Sequence, residues 1–157
     1  MKTKYIARII CLVSFLLFVS QAWAEEWVKY TSHTFGDVYY DKSSVKKIDK
    51  NIVSISSKQI LNEDGKTKYF SLLKISDNKL PESSDMLSYK LISSEIDCLN
   101  KKFKSSSMTI YDKLDQPIYT ATLNYEAWTE IIPKTSWDNL KSRVCSSSKT
   151  PKSKKKK

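Results

Sequence analysis

Three cysteines, one histidine, two acid pairs and a terminal run of lysines are the residues of this chain that could do chemistry. Cys11 sits inside an apolar leader, behind Arg8-Ile9-Ile10. That is the wrong context for lipid attachment, and it leaves Cys98 and Cys145 as the cysteines of the mature chain. Two cysteines in an exported chain favour a disulfide over a metal site. Closing the 48-residue loop from Cys98 through Cys145 contributes roughly 4 kcal/mol in the chain-entropy account. Total stabilities are about 5–15 kcal/mol, so the bridge is a large share.

The remaining candidates are poor catalysts. His33 is the only histidine, and its neighbours Ser32 and Thr34 cannot both face it in an extended segment. It reads as a surface histidine. Glu63-Asp64 and Asp112 with Asp115 fall at expected turns, where Asp bonds its local backbone. Asp97 points away from Cys98 and is expected to be solvated or paired with a cross-strand lysine. With only Gly36 and Gly65, no phosphate-cradling loop can be built. Zinc would want more His or Cys than remain. No catalytic residue, cofactor or metal site is expected, and the chain reads as a binding protein rather than an enzyme.

Lys154, Lys155, Lys156 and Lys157 are the candidate partner-binding residues. The plain reading is a solvated charge run. The sharper one is adhesion to an anionic envelope surface, screened by salt. A third use is recognition by lysine-binding kringle domains, which read an ammonium and a carboxylate held apart by an alkyl stem; Lys157 presents both.

The formal charge of +10 belongs to the ends. Nine of the 27 basic residues lie in the leader and in the tail from Ser146, leaving 18 against 17 acids. A nearly neutral folded part argues against a nucleic-acid partner.

The elements that must position these groups begin after the leader. Lys2, Lys4 and Arg8, the apolar run Ile9–Val19 and Gln21-Ala-Trp-Ala24 read as a signal peptide over 1–24, cut after Ala24. The apolar run is too short for a membrane anchor, which needs roughly 20 residues. Residues 25–145 make one domain, and 146–157 is expected to be a disordered lysine-rich tail.

Trp27–Thr31 and Val38–Asp41 read as strands around a turn at Phe35-Gly36-Asp37, and Lys42-Ser43-Ser44 as a turn. Ile52–Leu61 alternates with period two, Val53, Ile55 and Leu61 sharing one face. Asn62-Glu63-Asp64-Gly65 reads as a hairpin turn, returning through a strand at Lys68–Ile75. Ser76–Asp85 is expected to be the longest loop and mobile. Met86–Cys98 is the central strand. Lys102–Asp112 and Ile118–Leu123 form a hairpin across Lys113–Pro117.

Ser136 is expected to cap a helix to Cys145. In it Trp137, Leu140, Val144 and Cys145 make one apolar stripe. The fold class is α+β: a single antiparallel β-sheet of about six strands with a C-terminal helix packed on one face and tethered by a disulfide. Trp27, Tyr30, Tyr39, Tyr40, Trp128 and Trp137 are expected to pack in the core or along edges. An exposed aromatic strip beside 76–85 would otherwise be the best partner site.

Taken together, several of these residues carry a resemblance. They are Trp27 after the leader, Tyr39-Tyr40-Asp41 with Ser43-Ser44-Val45, and the strand Ile52–Ile55. Ile96-Asp97-Cys98 with Lys102-Phe103, Trp128–Pro133 and Val144-Cys145 complete the set. In this order they resemble the surface-adhesin protein E family over Glu25–Cys145. The resemblance implies an antiparallel sheet with a C-terminal helix tethered by the cysteine pair. It also implies adhesion to host matrix and serum proteins such as vitronectin, laminin and plasminogen, the last suiting Lys157. The alternative is a periplasmic module that binds a small or envelope ligand. A homodimer is left open.

Overall fold

The computed structural model describes residues 25–75, 81–123 and 127–146. The expected signal peptide, the lysines beyond Ser146 and the first half of the 76–85 loop lie outside the described residues.

Among the described residues eight antiparallel strands form one open sheet. They are β1 (Trp27–His33), β2 (Gly36–Asp41), β3 (Lys46–Lys47), β4 (Ile52–Leu61), β5 (Leu87–Asp97), β6 (Lys102–Asp112), β7 (Pro117–Thr122) and β8 (Thr129–Glu130). The main path runs β1-β2-β4-β5-β6-β7, with β3 beside β4 and β8 beside β6. Among the described residues the α-helices are α1 (Glu63–Ile75) and α2 (Ser136–Ser146).

Strand β4 shows why the sheet is one-sided. Val53, Ile55, Ser57, Gln59 and Leu61 point inward and are buried, while the residues between them are not. Period-two burial of this kind puts a single core on a single face. At one end α2 covers Val53, Ile55, Ile96, Ile131 and Tyr40 with Leu140 and Val144. Each fully buried aliphatic side chain contributes about 1.5–3 kcal/mol. Trp137 stacks on Phe103 with ring centroids 3.8 Å apart. The Cys98–Cys145 disulfide joins the end of β5 to the last turn of α2, with Cα atoms 5.7 Å apart. The Asn139 amide donates to the Tyr30 carbonyl at 2.7 Å and ties the helix to β1 as well.

At the other end the sequence expectation fails. The hairpin turn at Asn62–Gly65 and the strand at Lys68–Ile75 are replaced by α1. Asn62 is not a turn residue; its Oδ1 accepts from the Gly65 N–H at 2.9 Å and caps the helix. Glu63 and Asp64 occupy the first turn, where acids complement the helix dipole. Tyr69, Phe70 and Leu73 then fall on one helical face and pack over Leu61, Leu87 and Ile110. Gly65 serves close approach rather than a turn: a Cβ there would lie 2.4 Å from the Phe35 carbonyl oxygen.

A smaller correction concerns the cap of α2. Thr135, one residue before the expected Ser136, offers its Oγ1 to the Asp138 N–H at 3.4 Å. Elsewhere the expected turns hold. Gly36 takes φ 130° between β1 and β2. Lys42–Ser44 is a single 3-10 turn capped by Asp41. Burial opposes ionisation of Asp41, but bonds from the Ser43 hydroxyl and from the Ser43 and Glu26 amides outweigh it and hold its carboxyl below the usual range.

Ser57 and Gln59 are 4% and 5% exposed and sit between the two cores. The Ser57 hydroxyl has no hydrogen-bond partner among the described residues. Leaving such a group unpaired costs about 1–3 kcal/mol.

Two expectations follow from this packing. Gly65→Ala should destabilise the protein in chemical denaturation, although alanine is favoured over glycine inside a helix by about 1 kcal/mol; a stabilised variant would show that the Phe35 backbone gives way freely. Reduction with dithiothreitol should lower the melting temperature, and the Cys98→Ala/Cys145→Ala variant should lose about 2–5 kcal/mol. Identical melts with and without reductant would show the clamp to be dispensable.

Candidate functional site

The face of the sheet opposite the helices is where aromatic and charged side chains gather. Alternation puts them there. Tyr39 lies between the buried Val38 and Tyr40 of β2. Lys58 lies between Ser57 and Gln59 of β4. Tyr89 is paired with Ile60 across β4–β5 and with Tyr111 across β5–β6.

Lys58 is the centre of this cluster. Its ammonium is 4.4 Å from the centre of the Trp27 ring and 4.6 Å from that of Tyr89. Each such contact is worth about 0.5–1 kcal/mol at an exposed site. The Tyr89 and Tyr111 rings stack with centroids 4.8 Å apart and planes 13° apart. Trp27 is held by its indole N–H, which donates to Glu25 at 2.7 Å. The result is a row from β1 to β6: Trp27, Lys58, Tyr89, Tyr111. Ile60 is 42% exposed beside it, and Leu114, in the β6–β7 turn, is 78% exposed.

The electrostatics of the row are set at its β6 end. Burial, then the nearby Asp115 carboxylate, pushes the Tyr89 phenol up to about 12. Asp112 closes the same turn, accepting from the Leu114 and Gln116 amides at 2.8 Å. A second cluster lies at the opposite end of β6. Lys104 pairs with Glu95 at 3.0 Å and sits 5.0 Å from the Trp128 ring centre. Near β1, Lys29 pairs with Asp37 at 2.7 Å.

The residues singled out in the sequence fall apart rather than together. Cys98 and Cys145 form the disulfide. His33 is exposed at the end of β1. Asp97 lies across from Lys102, whose charge helps hold its carboxyl low, but its direct bonds are local: it accepts from the Leu99 and Asn100 amides at 3.0 and 2.9 Å and from the Asn100 side chain at 2.7 Å. The Asn100 N–H is the main reason its carboxyl stays below the usual range. It is a turn closer for β5–β6. Glu63 and Asp64 open a helix instead of lying in a turn. Lys154, Lys155, Lys156 and Lys157 lie outside the described residues. Among the described residues no group of three or more His, Cys, Asp or Glu could hold a metal ion, and no helix is long and apolar enough to cross a membrane.

Of the expected core aromatics, Tyr30 and Tyr40 pack under α2, and Trp137 packs onto the sheet from α2 itself. Trp27 is part of the open-face row. Sequence reasoning passed over Lys58, Tyr89 and Tyr111. For Lys58 the signal was present, since it lies between the inward positions of a strand whose alternation was already read; for Tyr111 no face had been assigned.

A single open sheet, clad by helices on one face and cross-linked to the last of them, defines the class as a disulfide-clamped α+β module. The particular group is narrower: the chain belongs to the surface-adhesin protein E family, whose profile matches residues 27–146. The solved structure of Haemophilus influenzae protein E is similar, with a TM-score of 0.52 at 15% identity, covering 77% of this chain and 84% of that one. A second crystal form of that protein gives 0.48 at 15% identity, covering 70% of this chain and 80% of that one. At this identity the likeness speaks to the fold. No curated protein sequence matches this chain at a significant level.

The Tyr89 phenol supplies a pH test. Its value in the folded chain is raised above the ordinary 10.0. The stabilisation from the neutral phenol is therefore fully present below pH 10.0 and is lost as pH rises through about 12. Ultraviolet titration should show late-ionising tyrosines, with the latest step lost in Tyr89→Phe while the raised step of buried Tyr30 remains. A titration in which Tyr89→Phe removes no late step would show the phenol to be solvated rather than enclosed beside Asp115.

Proposed function

We propose that this chain is an exported, non-enzymatic adhesive module that holds host extracellular-matrix or serum proteins on its helix-free face. The observation that carries this reading is its membership of the surface-adhesin protein E family over residues 27–146. Vitronectin, laminin and plasminogen are the partners to test first.

The open face supports the reading physically. Tyrosine, tryptophan and exposed aliphatic groups are the side chains that dominate protein interfaces. The row of Trp27, Lys58, Tyr89 and Tyr111 offers them on a rigid sheet, already ordered before a partner arrives. Pre-ordering lowers the entropy that association must overcome.

Lys154, Lys155, Lys156 and Lys157 are a second contact in this proposal. Their charge suits an anionic envelope surface, and the terminal Lys157 suits the lysine pockets of plasminogen. Export follows from the leader over Met1–Ala24.

The test is solid-phase binding of the full oxidised chain to the three host proteins. Trp27→Ala/Tyr111→Ala should weaken vitronectin or laminin binding by tenfold or more, since two central aromatic anchors cost about 2 kcal/mol or more, with little change in melting temperature. Deleting Lys154–Lys157 should lower plasminogen capture alone. Binding to none of the three, together with protection from external protease on intact cells, would favour the periplasmic module instead.

A further inference from the structure

The inward face of β4 is apolar at both ends and polar in the middle. Val53 and Ile55 lie under α2, and Leu61 lies under α1. Ser57 and Gln59 lie between. The two helices do not close over this middle, and a cavity of about 150 Å³ remains there. Its floor is set by register. Gln59 faces Val38 on β2 and Lys90 on β5; Ser57 faces Ile92. Trp137, at the start of α2, and Tyr30 supply aromatic walls.

Three features give this cavity a chemical preference. The first is a cation without a counter-charge. Among the described residues the ion pairs use Lys29, Lys42, Lys66, Lys104 and Lys141, and Lys90 is in none of them. Its ammonium donates to the Tyr69 hydroxyl and lies 4.5 Å from that ring's centre. A lysine has three donors, so capacity remains.

The second is the Ser57 hydroxyl. It comes near the Tyr30 phenol, which is pushed up by burial and only opposed by the serine. That approach falls outside hydrogen-bond geometry, and the hydroxyl stays unpartnered. The third is apolar lining from Val38, Ile92 and Trp137. A cavity of about this volume admits a benzene-sized body.

We propose that this cavity is a binding site for a small carboxylic acid with an apolar body, its carboxylate directed to Lys90 and its body lying against Ile92, Val38 and Trp137. The Gln59 amide and the Ser57 hydroxyl provide polar contacts in the floor. The site is on the helix-clad face and is independent of the adhesive surface. The same chemistry could arrive as a free acid or as the C-terminal residue of a peptide.

The experiment titrates the full oxidised chain with phenylacetate in one arm and N-acetyl-alanyl-phenylalanine in the other, following Trp137 fluorescence against Trp137→Phe and amide chemical shifts. Phenylacetamide and the amidated dipeptide are the controls. The expected result is saturable binding of at least one carboxylate, with shifts at Gln59, Lys90 and Ile92, and binding at least tenfold weaker for the matching amide, the scale of a charge-assisted hydrogen bond. Binding of phenylacetate alone assigns the site to free acids; binding of the dipeptide assigns it to chain termini. Lys90→Gln should weaken the carboxylate tenfold while its amide control is unchanged. No saturable binding by either acid, or equal binding of acid and amide by the wild-type chain, overturns the proposal without depending on any variant.

Discussion

The constraint on which the rest depends is the covalent link between the end of β5 and the last turn of α2. An eleven-residue helix is marginal on its own, because nucleation is costly and few bonds follow it. Its buried stripe is narrow, with Leu140 and Val144 as the fully enclosed members. The link makes the helix and the sheet one unit. The α2 half of the helix-clad face inherits its position from that unit, including the Trp137–Phe103 stack and the Trp137 wall of the cavity above Ser57 and Gln59.

Much of this was legible because period-two burial is hard to disguise. Strand β4 shows it over ten residues, and the helix stripe shows the other period just as plainly. The two cysteines sit where those patterns end, so the clamp could be inferred before any fold was known. Segment 62–75 failed for a definite reason. Asn-x-x-Gly serves equally as a hairpin turn or as a helix cap and its first turn. Tyr69, Phe70 and Leu73 also fit a strand with apolar residues on both sides. What decides between them is tertiary: the Phe35 carbonyl demands a glycine at 65, and Leu61, Leu87 and Ile110 need a cover. Neither fact is local to the segment.

The open-face row was harder to see for a different reason. Trp27, Lys58, Tyr89 and Tyr111 come from four strands far apart in the chain. No spacing links them; only the cross-strand registers do, through Ile60 to Tyr89 and Tyr89 to Tyr111. A lone lysine between serine and glutamine carries no signal in one dimension. In the sheet it becomes the bridge between two rings. The Ser57 and Gln59 positions are the converse case. They stood in an alternating strand as polar residues on the core face, which local reasoning treats as noise. In the fold they mark where the two cores part.

The edges of the sheet determine how such a surface can be used. An unprotected edge strand invites another strand to pair with it. Here β1 is interrupted by a bulge between Lys29 and Thr31, and it carries the Lys29–Asp37 ion pair. At the far side β7 is six residues long and begins on Pro117, which has no amide to donate. Both features oppose strand addition. Recognition under the proposed function therefore proceeds by side chains on a face and not by extension of the sheet. That in turn places the demand on the rings and on Lys58, whose positions depend on cross-strand register, and the register is fixed by the core on the other side.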